Sequence, residues 1–274
     1  MNATRAKKTF KKRFGQANHL LITALVGLDA IETGEVSKKP EGFSTSWNPI
    51  EPKRSAERAR IFTLKSFLGW AVESLEMYLT ELNRKPKELE SEELTVLFSK
   101  AGRSIYQKAI LIGEHAEVDP VLVALMEVLI TWRNYTFHYD IDNQIRRGSV
   151  ILLRDSAERI RSEFCGLEID QLQKTWESQG DFTFKETASL ISATHKYVSA
   201  VDSYALSNLD TSRYVGDALE LHFRGNDKAA QKLRSLPDEK KLRFLQNIVS
   251  EALGVIIEED SVVQKHLATV QAGI

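Results

Sequence analysis

Apolar residues recur at spacings of three and four along nearly the whole chain, which is the pattern of helices with one buried face. Alternation of apolar and polar residues, the pattern of half-buried strands, is scarce. Proline breaks helices, and the prolines are placed so that residues 121–236 contain none. The sequence therefore predicts an all-α fold, an antiparallel helical bundle with extra helices at its N- and C-terminal ends.

Individual helices can be placed from this periodicity and from the residues that cap helix ends. Asp119 followed by Pro120 gives the clearest start, because aspartate satisfies free backbone donors and proline fits the first helical position. Thr183 and Glu186 have the spacing of a capping box, and Ser91 precedes two glutamates that suit the positive end of a helix dipole. The predicted helices cover about 5–31, 55–82, 91–114, 120–138, 150–164, 184–206, 211–223, 227–236, 237–253 and 259–271.

A proline- and glycine-containing segment, residues 33–54, separates the first two predicted helices and is the best candidate for a domain boundary or a functional loop. We therefore predict a basic N-terminal helix with its connection in 1–50, a helical bundle in 51–210, and a helical extension packed on that bundle in 211–274. Within the bundle, the stretch GSVILL at 148–153 is compatible with a helix or with a short extended segment.

The composition is that of a water-soluble globular protein, with 42% hydrophobic and 27% charged residues among 274. No apolar run approaches the roughly 18 residues that a membrane helix needs. The N-terminus resembles a secretory signal, but Thr23 and Gly27 interrupt its apolar run and no suitable cleavage site follows. The single cysteine, Cys165, excludes an intramolecular disulfide and a multi-thiolate metal site. We expect a cytoplasmic protein without a membrane partner.

Motifs for metals, nucleotides and activated serines are absent from the sequence. The histidines other than His138 show no metal-ligand spacing, and there is neither a phosphate-binding glycine loop nor a nucleophile elbow. Asp140 and Asp142 lie in a polar turn, where such pairs are usually solvated instead of bound to a divalent ion. The sequence thus predicts no cofactor and no metal.

Charge is distributed unevenly along the chain, although the net charge is only -1. Six of the first fifteen residues are basic and none is acidic, and such an arm can attract the phosphates of a nucleic acid. The alternative is a solvated helix face or a frayed tail. The candidate RNA-binding residues in this arm are Lys7, Lys8, Lys11, Lys12 and Arg13.

The fourth predicted helix is apolar almost all round, so it should lie at the centre of the bundle. Its polar residues Glu127, Thr131, Asn134 and His138 are spaced by four, three and four, which places them in one stripe. Unpaired polar groups in such a position cost about 1–3 kcal/mol each, so the stripe must be paired, hydrated or functional. Arg133 lies about 100° from this stripe on an ideal helix, which leaves open whether it joins the other residues.

Two interpretations of this helix end compete. In the first, Arg133 pairs with Asp140 or Asp142 and His138 is a buried structural histidine. In the second, the cluster cleaves phosphodiesters, since histidine exchanges protons near neutral pH and arginine binds phosphate and its developing charge.

The stretch RNYTFH, residues 133–138, resembles the Arg, polar residue, three variable residues, His signature of the HEPN superfamily, small helical domains found in many RNA-targeting toxins and defence nucleases. The signature lies toward the end of a core helix, as it does in that family, and the resemblance covers about 55–208. It implies metal-independent RNA cleavage by attack of the 2′-hydroxyl on the adjacent phosphate. His138 would be the general acid or base, Arg133 would bind the phosphate, and Asn134 would orient one of them.

The resemblance also implies a homodimer, because one signature supplies only one histidine and two facing copies supply both an acid and a base. An antitoxin or a defence-system protein is the further partner that it implies. A subset of the family carries a tyrosine two residues after the histidine, where this chain has Asp140, so regulation through that tyrosine is not expected. The alternative function is a non-catalytic helical protein that binds nucleic acid or nucleotides or assembles with partners.

Overall fold

The computed structural model describes residues 2–38, 41–42, 44, 46–89, 91–138, 144–253 and 261–266, and it contains helices and no strand among them. This confirms the predicted all-α class. The helices are α1 (Arg5–Phe14), α2 (Ala17–Glu32), α3 (Pro52–Leu82), α4 (Glu92–Ala101), α5 (Ile105–His115), α6 (Pro120–Phe137), α7 (Arg147–Asp155), α8 (Ala157–Glu163), α9 (Ile169–Glu177), α10 (Phe184–Ser207), α11 (Thr211–Phe223), α12 (Asp227–Ser235) and α13 (Asp238–Leu253). Residues 261–266 are helical as well.

The chain divides into two compact units that do not follow chain order. Unit 1 consists of Met1–Lys12, Glu76–Arg103 and Val198–Ile274, and unit 2 consists of Arg13–Leu75 and Ser104–Tyr197. The division passes through three helices, α1, α3 and α10. The domain organisation anticipated from the sequence, with boundaries near residues 50 and 210, stays a prediction.

Unit 2 is built around α6, whose residues are buried on nearly every side as its apolar sequence predicts. Helices α5 and α7 pack against α6, and α7 in turn packs against α8 and α9. Tyr197 is fully buried, and its hydroxyl donates a 2.5 Å hydrogen bond to the carbonyl of Ala109 in α5. This packing surrounds α6 with neighbouring helices.

Unit 1 has a separate apolar core formed mainly by the C-terminal helices. Helix α11 packs against α12 and α13. The buried residues of this core include Val215, Leu219, Leu245, Val249 and Val263.

The predicted helix starts are confirmed by their hydrogen bonds. The Asp119 carboxylate accepts a 3.0 Å hydrogen bond from the Val121 amide at the start of α6. The Ser91 hydroxyl accepts from Leu94 N. The capping box is reciprocal, since Glu186 accepts from Thr183 N at 2.7 Å and the Thr183 hydroxyl accepts from Glu186 N at 3.3 Å.

Three helices that were predicted to be continuous are each interrupted, so the prediction was wrong there and each forms two helices. The helix predicted over 5–31 is interrupted at Gly15 and Gln16, between α1 and α2. The helix predicted over 91–114 is interrupted after α4 at Gly102, whose φ of 56° is a conformation that glycine adopts without steric cost. Ser104 then caps the start of α5. The third break is at Ser156, between α7 and α8, and the residues of GSVILL are helical.

A buried carboxylate fixes the start of α1 within unit 1. Glu88 is 1% exposed and accepts hydrogen bonds from the backbone amides of Arg5 at 2.5 Å and Ala6 at 2.9 Å. It also accepts a 2.8 Å hydrogen bond from the Tyr214 hydroxyl. Burial raises the pKa of Glu88 above its ordinary value of 4.5, and the hydrogen bonds from Ala6, Tyr214 and Arg5 oppose that rise.

We expect Glu88→Gln to lower the free energy of unfolding by about 1–3 kcal/mol. The side-chain NH2 of glutamine would face one of the N–H or O–H groups that now donate to the carboxylate, and that hydrogen bond would be lost. Because its pKa is raised in the folded state, Glu88 contributes to stability below pH 4.5. That contribution is lost as the pH rises through the pKa of Glu88 in the folded protein. Urea unfolding of the wild type and the variant between pH 4 and pH 8 measures both effects. A variant that retains the wild-type decline in stability with rising pH would contradict the assignment to Glu88.

Candidate active site

The C-terminal end of α6 carries the three residues predicted for catalysis. Arg133 and Asn134 lie in the last turns of the helix and are 6% and 4% exposed. His138 is exposed and lies just beyond the helix, with extended backbone angles of φ -128° and ψ 119°. Its amide still donates a 2.8 Å hydrogen bond to the carbonyl of Asn134, which closes the final turn.

This change of backbone conformation brings the histidine to the arginine. On a continuous helix Arg133 and His138 would point about 140° apart. Instead, Arg133 Nη1 lies 2.5 Å from His138 Nε2. The guanidinium is a donor only, so Nε2 accepts and the proton of a neutral ring lies on Nδ1. The orientation of Arg133 that the sequence left open is therefore resolved, and the two residues are in contact.

A third side chain, Glu73 in α3, completes the surroundings of the guanidinium. Glu73 Oε1 lies 3.4 Å from Arg133 Nη2, and the glutamate side chain is 56% exposed. The buried guanidinium thus lies between a carboxylate on one nitrogen and an imidazole on the other. Sequence reasoning missed Glu73, because it is 60 positions before Arg133 and no local pattern connects the two.

A close contact between α3 and α6 lies beside this arrangement. A Cβ atom at Gly69 would lie 3.2 Å from Cε2 of Phe137, which is closer than a comfortable contact. Gly69 and Glu73 are four residues apart on α3, so they share one face. The Phe137 ring covers Gly69 while Arg133 reaches Glu73.

Asn134 is placed beside this pair but does not orient it through its side chain in the described structure. Its Oδ1 is buried and accepts no hydrogen bond among the described residues. The one hydrogen bond that joins Asn134 to His138 is the backbone contact described above. The predicted role of Asn134 in orienting the histidine or the phosphate stays a prediction.

Glu127, the first member of the predicted polar stripe, belongs to a different and structural network. Its carboxylate accepts from Arg146 Nη2 at 2.7 Å, from the Ser149 hydroxyl at 2.6 Å and from the Tyr106 hydroxyl at 3.0 Å. It also accepts from the Arg146 amide at the start of α7. The pKa of Tyr106 is raised, first by burial and then by the neighbouring Glu127 carboxylate. Glu127 therefore joins α5, α6 and α7 instead of serving the histidine.

The basic arm is helical, and its residues differ in surroundings. Lys7 points to buried Asp202, with Nζ 3.3 Å from Oδ2, so its charge is already paired within unit 1. Lys8, Lys11, Lys12 and Arg13 are exposed on α1. Their part in binding RNA stays a prediction.

The predicted partners Asp140 and Asp142 lie outside the described residues. Within the described chain, no cluster of three or more histidine, cysteine, aspartate or glutamate side chains has a geometry that could hold a metal ion. Among the described helices, none combines the length and the apolar character required to cross a bilayer.

Comparison with known protein families, curated proteins and solved structures gives no significant match.

Proposed function

We propose that this protein is a metal-independent endoribonuclease of the HEPN type. The observation that carries the proposal is the contact between Arg133 and His138, 2.5 Å apart at the end of a buried helix. Arginine binds the phosphate and its growing negative charge, and histidine exchanges protons near neutral pH. A buried arginine beside an exposed histidine supports this chemistry, because packing holds the cation in place while the imidazole ring is open to the solvent.

In the proposed reaction, the scissile phosphate binds at the guanidinium and replaces the 3.4 Å contact of Arg133 with Glu73 and the contact with the His138 ring. Released from that contact, His138 Nε2 takes the proton of the ribose 2′-hydroxyl. The 2′-oxygen attacks phosphorus and the bond from phosphorus to the 5′-oxygen breaks. The products are a 2′,3′-cyclic phosphate and a 5′-hydroxyl, with Arg133 stabilising the charge of the pentacoordinate transition state.

The leaving 5′-oxygen needs a proton, and the His138 of a second copy is our proposed donor. The site would then be shared by a homodimer whose two-fold axis passes near the C-terminal ends of the α6 helices. We also propose, by analogy with the family that RNYTFH resembles, a cytoplasmic toxin or antiviral defence role with a neutralising or triggering partner protein.

Chimeric oligonucleotides test the reaction. We expect cleavage of a single-stranded RNA to leave 2′,3′-cyclic phosphate ends and to continue in excess chelator. A single 2′-deoxy substitution should block cleavage at that nucleotide only, because it removes the nucleophile. Mass spectrometry of the fragments measures both outcomes.

Two results would contradict the proposal. Cleavage that stops with chelator and proceeds in DNA would identify a metal-dependent nuclease. RNA binding without any cleavage would identify the non-catalytic alternative.

A further inference from the structure

One face of α3 leads directly to the Arg133 and His138 pair. Phe62, Ser66, Gly69 and Glu73 follow one another at intervals of four, three and four residues, so they form a single line along the helix. At one end of this line Glu73 contacts Arg133, and in the middle Phe137 covers Gly69.

Two exposed aromatic rings lie along this line, Phe62 of α3 and Phe137 of α6. Phe62 is 72% exposed and Phe137 is 51% exposed, whereas most aromatic side chains of a folded protein bury their rings. Phe62 precedes Gly69 by seven residues, which corresponds to about 10 Å along the helix. Half-buried Ser66 lies between them, so the rings are separate platforms and not one continuous apolar patch.

Two arginines continue the same face beyond Phe62. Arg58 and Arg54 precede it by four and eight residues, which places them within about 40° and 80° of its direction. Both are exposed, and neither forms an ion pair in the described part of the chain. Exposed Glu57 points about 140° away from Phe62, but it follows Arg54 by three residues and lies within about 60° of the direction of that arginine.

We infer that single-stranded RNA lies along this face of α3, with one base stacked on Phe137, another on Phe62, and its phosphates continuing to Arg58 and Arg54. A row of exposed rings continued by cations suits unpaired nucleic acid, because bases stack on aromatic faces and arginines attract phosphates. Paired bases offer no free face to such rings, so duplex RNA should bind more weakly. The inference rests on the proposed nuclease function, since it places the scissile phosphate at Arg133.

Binding of an uncleavable, fully 2′-O-methylated single strand tests the inference without requiring catalysis. By fluorescence anisotropy we expect Phe62→Ala to weaken binding about tenfold through the loss of one stacked base. Phe62→Trp should bind at least as tightly as the wild type, and Phe62→Leu should bind as weakly as the alanine variant. Arg58→Ala should reduce the slope of log Kd against log salt by about 0.7, the value for one phosphate contact with a single strand.

Matched controls are Ile151→Ala and Arg103→Ala, which remove an exposed apolar and an exposed basic side chain elsewhere. Wild-type affinity in both Phe62→Ala and Arg58→Ala, with RNA cleavage intact, would contradict RNA binding along α3 and would leave the proposed nuclease activity unaffected. Binding that depends on Phe62 and Arg58 in a protein that cleaves no RNA would support RNA binding along α3 and would contradict the proposed nuclease activity. A change in sedimentation of Phe62→Ala without a change in RNA affinity would assign this face to a second copy and overturn the inference.

Discussion

Replacing His138 with alanine should reduce RNA cleavage by about a hundredfold to ten-thousandfold, the range that a positioned acid or base contributes. The side chain is exposed beyond the end of α6, so its removal leaves no cavity in the core. The Arg133 guanidinium keeps its contact with Glu73 in the variant. We therefore expect a large loss of rate with an unchanged melting temperature.

Single-turnover cleavage of a labelled single strand measures this loss, with His19→Ala as the matched control because His19 is also exposed. Circular dichroism and sedimentation show whether the fold and the oligomeric state are retained. Wild-type cleavage by His138→Ala would rule out the proposed chemistry.

Replacing Arg133 with lysine should lower the cleavage rate by about a hundredfold to a thousandfold, as the loss of a positioned charge-stabilising donor does. Lysine keeps the positive charge, but its single ammonium group cannot span Glu73 and His138 as the two guanidinium nitrogens do. The phosphate would then meet a cation in a different place, so the transition state would lose more stabilisation than the bound substrate.

The kinetic constants separate these effects, since kcat should fall by a larger factor than KM rises. Glu73→Gln is the matched control, because it removes the neighbouring charge and leaves the guanidinium in place. Equal rates for Arg133→Lys and the wild type would show that Arg133 is a structural cation paired with Glu73 and would remove the phosphate site from the proposal.

Helix starts that depend on capping by neighbouring residues were predicted from the sequence. The start of α6 follows from Asp119 and Pro120, and the start of α10 follows from Thr183 and Glu186, because capping needs only neighbouring residues. The interruptions between α1 and α2 and between α7 and α8 were not predicted, since the apolar spacing continues across them. Helix α9 was missed as well, as a nine-residue helix gives little periodic signal.

For the candidate site, the sequence determined the apolar character of α6 and the placing of Arg133, Asn134 and His138 at its end, because helical periodicity and the order of residues are local properties. Only the tertiary structure decided which of these side chains meet. The extended backbone at His138 turns its ring toward Arg133, and close packing at Gly69 brings Glu73 to the same guanidinium. Those contacts depend on where α6 ends and on how α3 packs beside it, and both follow from interactions between residues far apart in the chain.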